Sequence, residues 1–178
     1  MSDNQNLQNI INSGGWCEFE FKPNPAISDK NLGRLIYKGS DFLVIQRFNI
    51  NGEFWDGFFI VLKENHIRIK KAYWVKKYLS IGGNMIEEAS IPGELTYQAW
   101  IEVIDNLKET KTPIKFQLDM KEGYGIIASL NQTTITIKHI ELQILNELTV
   151  IQIQSLKYIE VNTKKIKEIN KKYQRLLT

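Results

Sequence analysis

The cationic side chains between His66 and Lys77 are the residues of this sequence best suited to contact a charged partner. The segment reads HIRIKKAYWVKK, and no acidic residue occurs from Asn65 to Ile86. Cations bind phosphates and aromatic rings stack on bases, a combination typical of single-strand nucleic-acid binding. The same pattern also fits a solvated strand edge whose rings pack inward. The candidate nucleic-acid contacts are Arg68, Lys70, Lys71, Tyr73, Lys76 and Lys77.

A second basic surface lies in the last segment, residues 163–177, which has the periodicity of an amphipathic helix. It could contact nucleic acid or an acidic partner, or it could be the solvated face of a helix docked on the rest of the protein. Cations near its end would also suit the negative pole of the helix dipole. The basic side chains are Lys164, Lys165, Lys167, Lys171, Lys172 and Arg175.

The predicted hairpin tip, residues 51–57, has the sequence NGEFWDG. Two adjacent aromatic residues cannot both enter one face of a regular strand, so either Phe54 or Trp55 could be exposed as an interface anchor. A bulge that turns both rings inward, or cover from another part of the chain, is the alternative. The candidate protein-interface residues are Phe54, Trp55 and Asp56.

The residue types and their spacing do not indicate a catalytic site. The two histidines, His66 and His139, fall in separate predicted strands. No histidine or cysteine spacing suggests a metal site, and no glycine loop suggests phosphate binding. Cys17 follows Trp16 in a predicted strand, where we expect a buried and unreactive thiol. The sequence therefore predicts no enzyme, no cofactor and no metal.

Length and composition set the remaining bounds. A chain of 178 residues with 43% hydrophobic and 24% charged residues can form one domain or two small ones. A net charge of +3 is below that of a dedicated nucleic-acid binder. The single cysteine, the lack of a secretory signal and the lack of an apolar stretch of about 18 residues favour the cytoplasm and predict no membrane contact.

The spacing of apolar residues predicts the strands and helices that contain these candidate residues: every second position for a strand, every third or fourth for a helix. Residues 125–161 align with residues 33–69 without a gap and keep the alternating apolar positions, which indicates an internal repeat. The apolar run GFFIVL, residues 57–62, predicts a strand covered on both faces. Another predicted strand begins at Trp16. The remaining predicted strands span residues 33–38, 41–48, 66–70, 114–118, 125–130, 133–140, 148–153 and 157–161. Predicted helices span residues 4–12, 72–80, 97–109 (after an N-cap at Thr96) and 163–177.

A helix followed by five short strands resembles the Sm-like fold and the related SH3-like barrels. Gly33 and Gly125, which open the second strand of each unit, carry the resemblance, together with the tight links within residues 60–69 and 151–161. Residues 51–71 are also similar to a pattern in uncharacterised bacterial proteins. The resemblance implies a mainly β (α+β) protein of two tandem five-stranded barrels, each preceded and followed by a helix. The units would span residues 1–83 and 95–178, joined by a linker at residues 84–94.

The resemblance weakens an RNA-binding function, because the residues with which Sm proteins read RNA are absent from both predicted units. The turns that would hold them read Lys38-Gly39-Ser40-Asp41 and Leu130-Asn131-Gln132-Thr133. We therefore expect a non-catalytic module that binds a protein, of the adaptor or immunity type, with single-stranded RNA along residues 66–77 as the alternative. Paired units could also leave strand edges free for homo-oligomers.

Overall fold

Strands outnumber helices in the computed structural model, which describes residues 3–13, 15–21, 31–49, 54–62, 67–73, 99–118 and 121–177. The helices within these ranges are α1 (Asp3–Asn12), α2 (Trp100–Glu109) and α3 (Lys164–Leu177). The strands are β1 (Trp16–Phe21), β2 (Asn31–Lys38), β3 (Leu43–Asn49), β4 (Phe54–Val61), β5 (Ile67–Lys71), β6 (Ile114–Gln117), β7 (Glu122–Leu130), β8 (Thr134–His139), β9 (Leu148–Gln152) and β10 (Tyr158–Val161). Short 3₁₀ turns occupy Leu142–Ile144 and Ile153–Ser155.

All ten strands belong to one antiparallel sheet with the order β5-β1-β2-β3-β4-β10-β6-β7-β8-β9. The junction between the two parts of the chain is the pairing of β4 with β10, where Phe58 lies opposite Val161 and Val61 opposite Tyr158. Within the described residues, β5 pairs only with β1 and β9 only with β8. Among the described strands, the sheet is therefore open at both ends.

The prediction of two closed five-stranded Sm-like or SH3-like barrels is wrong, and so is the prediction of an internal repeat of such a barrel. Neither set of five strands closes on itself, because β4 and β10 pair across the two sets instead. An alternating pattern specifies which face of a strand is buried, but not which strand lies along its edge. The predicted linker, residues 84–94, the predicted helix from Trp74 onward and the predicted N-cap Thr96 lie outside the described residues.

Two hairpins nevertheless share a register inside this sheet. Leu35 of β2 lies opposite Ile45 of β3, and the register shifts between Leu35 and Tyr37. Ile127 of β7 lies opposite Ile137 of β8, and the register shifts immediately after Ile127. The similarity of the two segments is therefore one of hairpin geometry, within a sheet that does not close.

Two cores lie on opposite faces of the strands around the junction. The first packs α1 onto β1–β4 through residues such as Ile10, Phe19 and Phe59. The second packs α2 onto the other face and includes Phe58 and Ile60 of β4 together with β6–β10. Residues 57–62 are all buried, so the prediction of a strand covered on both faces is confirmed. The second core contains side chains from both parts of the chain, which it therefore joins.

Acidic residues from the first part of the chain bind the N-termini of both helices in the second part. The Trp100 amide at the start of α2 donates to Asp41 Oδ1 at 2.9 Å. The Lys164 amide at the start of α3 donates to Asp56 Oδ1 at 2.8 Å. A carboxylate at a helix N-terminus satisfies a free amide and interacts favourably with the helix dipole. Helix α2 begins at Trp100 because Ala99 is extended, with φ of −123° and ψ of 149°.

Candidate functional site

A cleft of about 390 Å³ separates the first residues of β4 from the first half of α3. It brings together two of the surfaces that the sequence suggested as binding sites, the aromatic hairpin tip and the basic terminal helix. The lining residues are Trp55, Asp56, Asn162, Lys164, Lys167, Glu168 and Lys171.

Trp55 is half-buried and is held in place by other aromatic rings. Its ring centroid lies 5.1 Å from that of Trp16 and 5.2 Å from that of Phe48, with the Phe48 ring nearly edge-on. Leu32 and Ala72 complete this small apolar cluster. The indole is therefore a fixed wall of the cleft rather than a free anchor. Phe54 begins β4 opposite Asn49, and its side chain lies outside the described part of the structure.

Asp56 lines the cleft and binds both α3 and Arg47. Besides accepting the Lys164 amide, its Oδ2 lies 3.9 Å from Arg47 Nη1, and only 12% of its side chain is exposed. Thr163 Oγ1 accepts the Ile166 amide at 3.3 Å, so a second side chain binds an amide in the first turn of α3. The amides of Lys164 and Ile166 thus bind side chains of the protein, and the positive charge that faces the cleft comes from lysine side chains.

The lysines of the cleft lie on one face of α3. Lys164, Lys167 and Lys171 are three and four positions apart, which places their side chains in one row, and all three are exposed. Within the described ranges, none of their ammonium groups lies within 4 Å of a carboxylate. The cleft therefore combines an aromatic wall with a row of lysines that make no ion pair with a described residue.

The basic segment that begins at His66 is a separate surface on the edge strand β5. Arg68 Nη1 lies 2.8 Å from Glu20 Oε1, and Lys70 lies opposite Glu18 in the register of β1 and β5. The Lys71 ammonium lies 5.0 Å from the centroid of the Tyr73 ring, which is 72% exposed. His66, Lys76 and Lys77 lie outside the described residues. Two of the three cations of β5, Arg68 and Lys70, thus lie opposite acidic residues of β1.

Cys17 and His139, two described residues that could carry out nucleophilic or acid–base chemistry, are both buried. Burial raises the pKa of the Cys17 thiol to about 12, so the expected buried cysteine is confirmed. His139 is 5% exposed, and its Nε2 lies 2.8 Å from Thr149 Oγ1. Its Nδ1 lies 3.8 Å from Glu141 Oε2, too far for a hydrogen bond. Among the described residues, no three His, Cys, Asp or Glu side chains are grouped to hold a metal.

A buried ionic cluster at the β10–β6 pairing was missed by the sequence analysis. Lys115 Nζ lies 3.0 Å from Glu160 Oε1 and 3.0 Å from Glu122 Oε2, and the Glu160 side chain is only 6% exposed. Burial alone would lower the pKa of Lys115, but the neighbouring carboxylates outweigh it and raise that pKa. Burial also raises the pKa of the adjacent Tyr158 to about 12. The available signal was a charged residue between apolar neighbours, as in Ile114-Lys115-Phe116 and Ile159-Glu160-Val161.

Comparison of the sequence with protein-family models and with curated proteins finds no match. No helix in the described part of the chain combines the length and the apolar character needed to cross a bilayer.

Proposed function

We propose that the protein is a non-catalytic binding module and that the cleft between Trp55 and α3 binds an acidic segment of a partner protein. This proposal rests on one observation: the fixed Trp55 indole and the side chains of Lys164, Lys167 and Lys171 line the same cleft. Tryptophan is enriched among residues that dominate binding energy, and a basic rim steers and selects an acidic partner. An adaptor or immunity role is consistent with such binding.

Charge reversal on α3 tests the proposal without disturbing the aromatic cluster. Trp55→Ala is a poor test because Trp55 packs on Trp16 and Phe48, so the substitution would also reduce stability. The double variant Lys167→Glu/Lys171→Glu changes exposed residues that line the cleft. Lys172→Glu/Arg175→Glu is the matched control, because it makes the same charge change at exposed positions of α3 that do not line the cleft.

The measurement is affinity capture from a native lysate, with and without nuclease, followed by mass spectrometry. We expect wild type and the control variant to retain the same acidic protein after nuclease treatment, and the cleft variant to lose it. Equal retention by the cleft variant would contradict the proposal. Loss of the captured protein upon nuclease treatment would show that nucleic acid mediates the capture, and would also overturn it.

Single-stranded RNA along β5 is the second candidate. The exposed Tyr73 ring beside the Lys71 ammonium favours it, because a ring and a cation together can hold a base and its phosphate. The ion pair between Arg68 and Glu20 opposes it. A labelled oligonucleotide pool should bind at low salt and lose affinity with a log–log slope of about −0.7 per phosphate contact. No binding at low salt would remove this candidate.

A cytoplasmic location belongs to the same proposal. The free thiol of the buried Cys17 is compatible with a reducing compartment and supports this placement. Fractionation of native cells with an antibody against the protein would test it.

A further inference from the structure

The last strand of the sheet, β9, has an exposed apolar surface at an open edge. Leu148 is 64% exposed and Val150 is 65% exposed, and the nearby Leu142 is 62% exposed. Among the described strands, β9 pairs only with β8. Its sequence, Leu-Thr-Val-Ile-Gln, contains no charge, proline or glycine. An uncharged edge strand with exposed aliphatic residues lacks the usual protection against pairing with another strand.

The hydrogen bonds to β8 show which residues of β9 face outward along this edge. The His139 amide donates to the Glu147 carbonyl, and the Ile153 amide donates to the Thr133 carbonyl. Bonded and non-bonded positions alternate along an antiparallel pair, so the odd-numbered residues of β9 carry the bonds to β8. The amides and carbonyls of Leu148, Val150 and Gln152 therefore point away from β8. The residues with outward backbone groups include the two with exposed aliphatic side chains.

The opposite edge of the sheet differs in its charges. Strand β5 carries Arg68, Lys70 and Lys71, so two copies of β5 placed side by side would bring cations together. A β5 strand from another copy would also place those cations beside the apolar side chains of β9. Two copies of β9 meet with no charge on either strand. Antiparallel pairing about a two-fold axis makes such a surface complementary to itself.

We propose that the protein self-associates through β9, which pairs antiparallel with β9 of a second copy about a two-fold axis. The outward backbone groups and the length of the strand centre the pairing on Val150, which faces Val150 of the second copy, while Leu148 faces Gln152. One sheet then continues from the first copy into the second. The contact is short, so the dimer is weak and depends on protein concentration. This inference does not depend on the cleft between Trp55 and α3.

Sedimentation velocity over a wide concentration series tests the dimer. We expect wild type to sediment as a monomer when dilute and as a dimer when concentrated. Val150→Lys places two cations opposite each other, so its dimer should be at least about tenfold weaker. Leu176→Lys is the control, because it adds the same charge at an exposed leucine of α3 rather than of β9, and it should behave as wild type. A wild type that stays monomeric throughout, or a Val150→Lys variant that still dimerises fully, would overturn the proposal.

A charge swap tests the Val150 register itself. Val150→Lys and Val150→Glu should each be monomeric, whereas their equimolar mixture should form dimers, because lysine and glutamate then face each other. Circular dichroism of each variant shows whether it has folded. A folded pair whose mixture stays monomeric would contradict pairing centred on Val150. The same samples can be assayed for partner capture, so failure of the dimer and failure of the cleft are distinguishable.

Discussion

Two cross-strand ion pairs, one at the centre of the sheet and one at its edge, have similar geometry and different surroundings. Lys115 and Glu160 lie directly opposite each other on β6 and β10, with N and O 3.0 Å apart. Arg68 and Glu20 lie directly opposite on β5 and β1, 2.8 Å apart. The central side chains are 16% and 6% exposed, and the edge side chains are 56% and 40% exposed.

Distance alone therefore does not rank these interactions. Water solvates the edge pair in both the folded and the unfolded chain, so its net contribution is small. The central pair has lost most of its water, so the Glu160 charge depends on Lys115, which Glu122 also contacts. The edge pair places charges on the open strand β5 and on its neighbour β1, where charge disfavours pairing with another strand. The central pair joins β10 to β6 beside the junction of the two parts of the chain.

The largest effect expected from this comparison follows Glu160→Gln. The substitution keeps the shape of the side chain but leaves Lys115 with only Glu122, whose side chain is 51% exposed. Removing one partner of a buried pair typically costs about 3 kcal/mol or more of unfolding free energy. Urea denaturation measures the loss. The double variant Lys115→Met/Glu160→Gln should lose less than the sum of the single variants, and strict additivity would show that the two groups do not interact.

An intermediate effect is expected at alkaline pH. The pKa of Tyr158 is raised to about 12 in the folded protein and that of Lys115 is also raised, so both favour their protonated forms on folding. Both contributions are complete below about pH 10; that of Tyr158 is lost as the pH rises through 12, and that of Lys115 is lost at higher pH. For Tyr158 the loss is on the order of 2 kcal/mol.

Urea denaturation of wild type and Tyr158→Phe between pH 8 and pH 12 isolates the tyrosine. Unfolding stability of wild type should fall more steeply than that of the variant. The buried Cys17 thiol acts in the same direction in both proteins, so it cancels in the difference. Parallel curves would show that the environment of Tyr158 does not favour its neutral form.

The smallest effect is expected for Glu20→Gln at the edge. Because the pair with Arg68 is solvent-exposed, we expect a change in unfolding free energy of about 0.5 kcal/mol or less. The difference should shrink further in high salt, where exposed charges are screened. A loss comparable to that of Glu160→Gln would mean that burial does not distinguish the two pairs.

Much of the secondary structure was predictable because it depends on local patterns. The apolar run in β4 correctly indicated burial on both faces, and the amphipathic pattern of the last segment correctly predicted α3. The closed barrels were wrong because closure depends on which edges pair. Val61 pairs with Tyr158, far along the chain, and no periodicity in either strand specifies that partner.

The cleft, too, depends on long-range contacts that local sequence patterns do not specify. The sequence marked the aromatic tip and the basic helix as two separate candidates, and the fold makes them neighbours. Asp56 was predicted at a protein interface; it lines the cleft, and its carboxylate also accepts the first amide of α3. That contact spans 108 residues of chain, so local composition carries no sign of it. Buried charge within a strand, as at Glu160, was the one available signal that went unused.

The pairing of β4 with β10 also has a consequence for synthesis of the chain on the ribosome. Strand β4 is made well before β10, the strand that pairs with its edge. During that interval the edge of β4 is unpaired, and its Phe58 and Ile60 lack the part of their core that comes from later strands. Such long-range pairing slows folding and exposes aggregation-prone surface. We therefore expect chains stalled between β4 and β10 to need chaperones more than chains that already include β10.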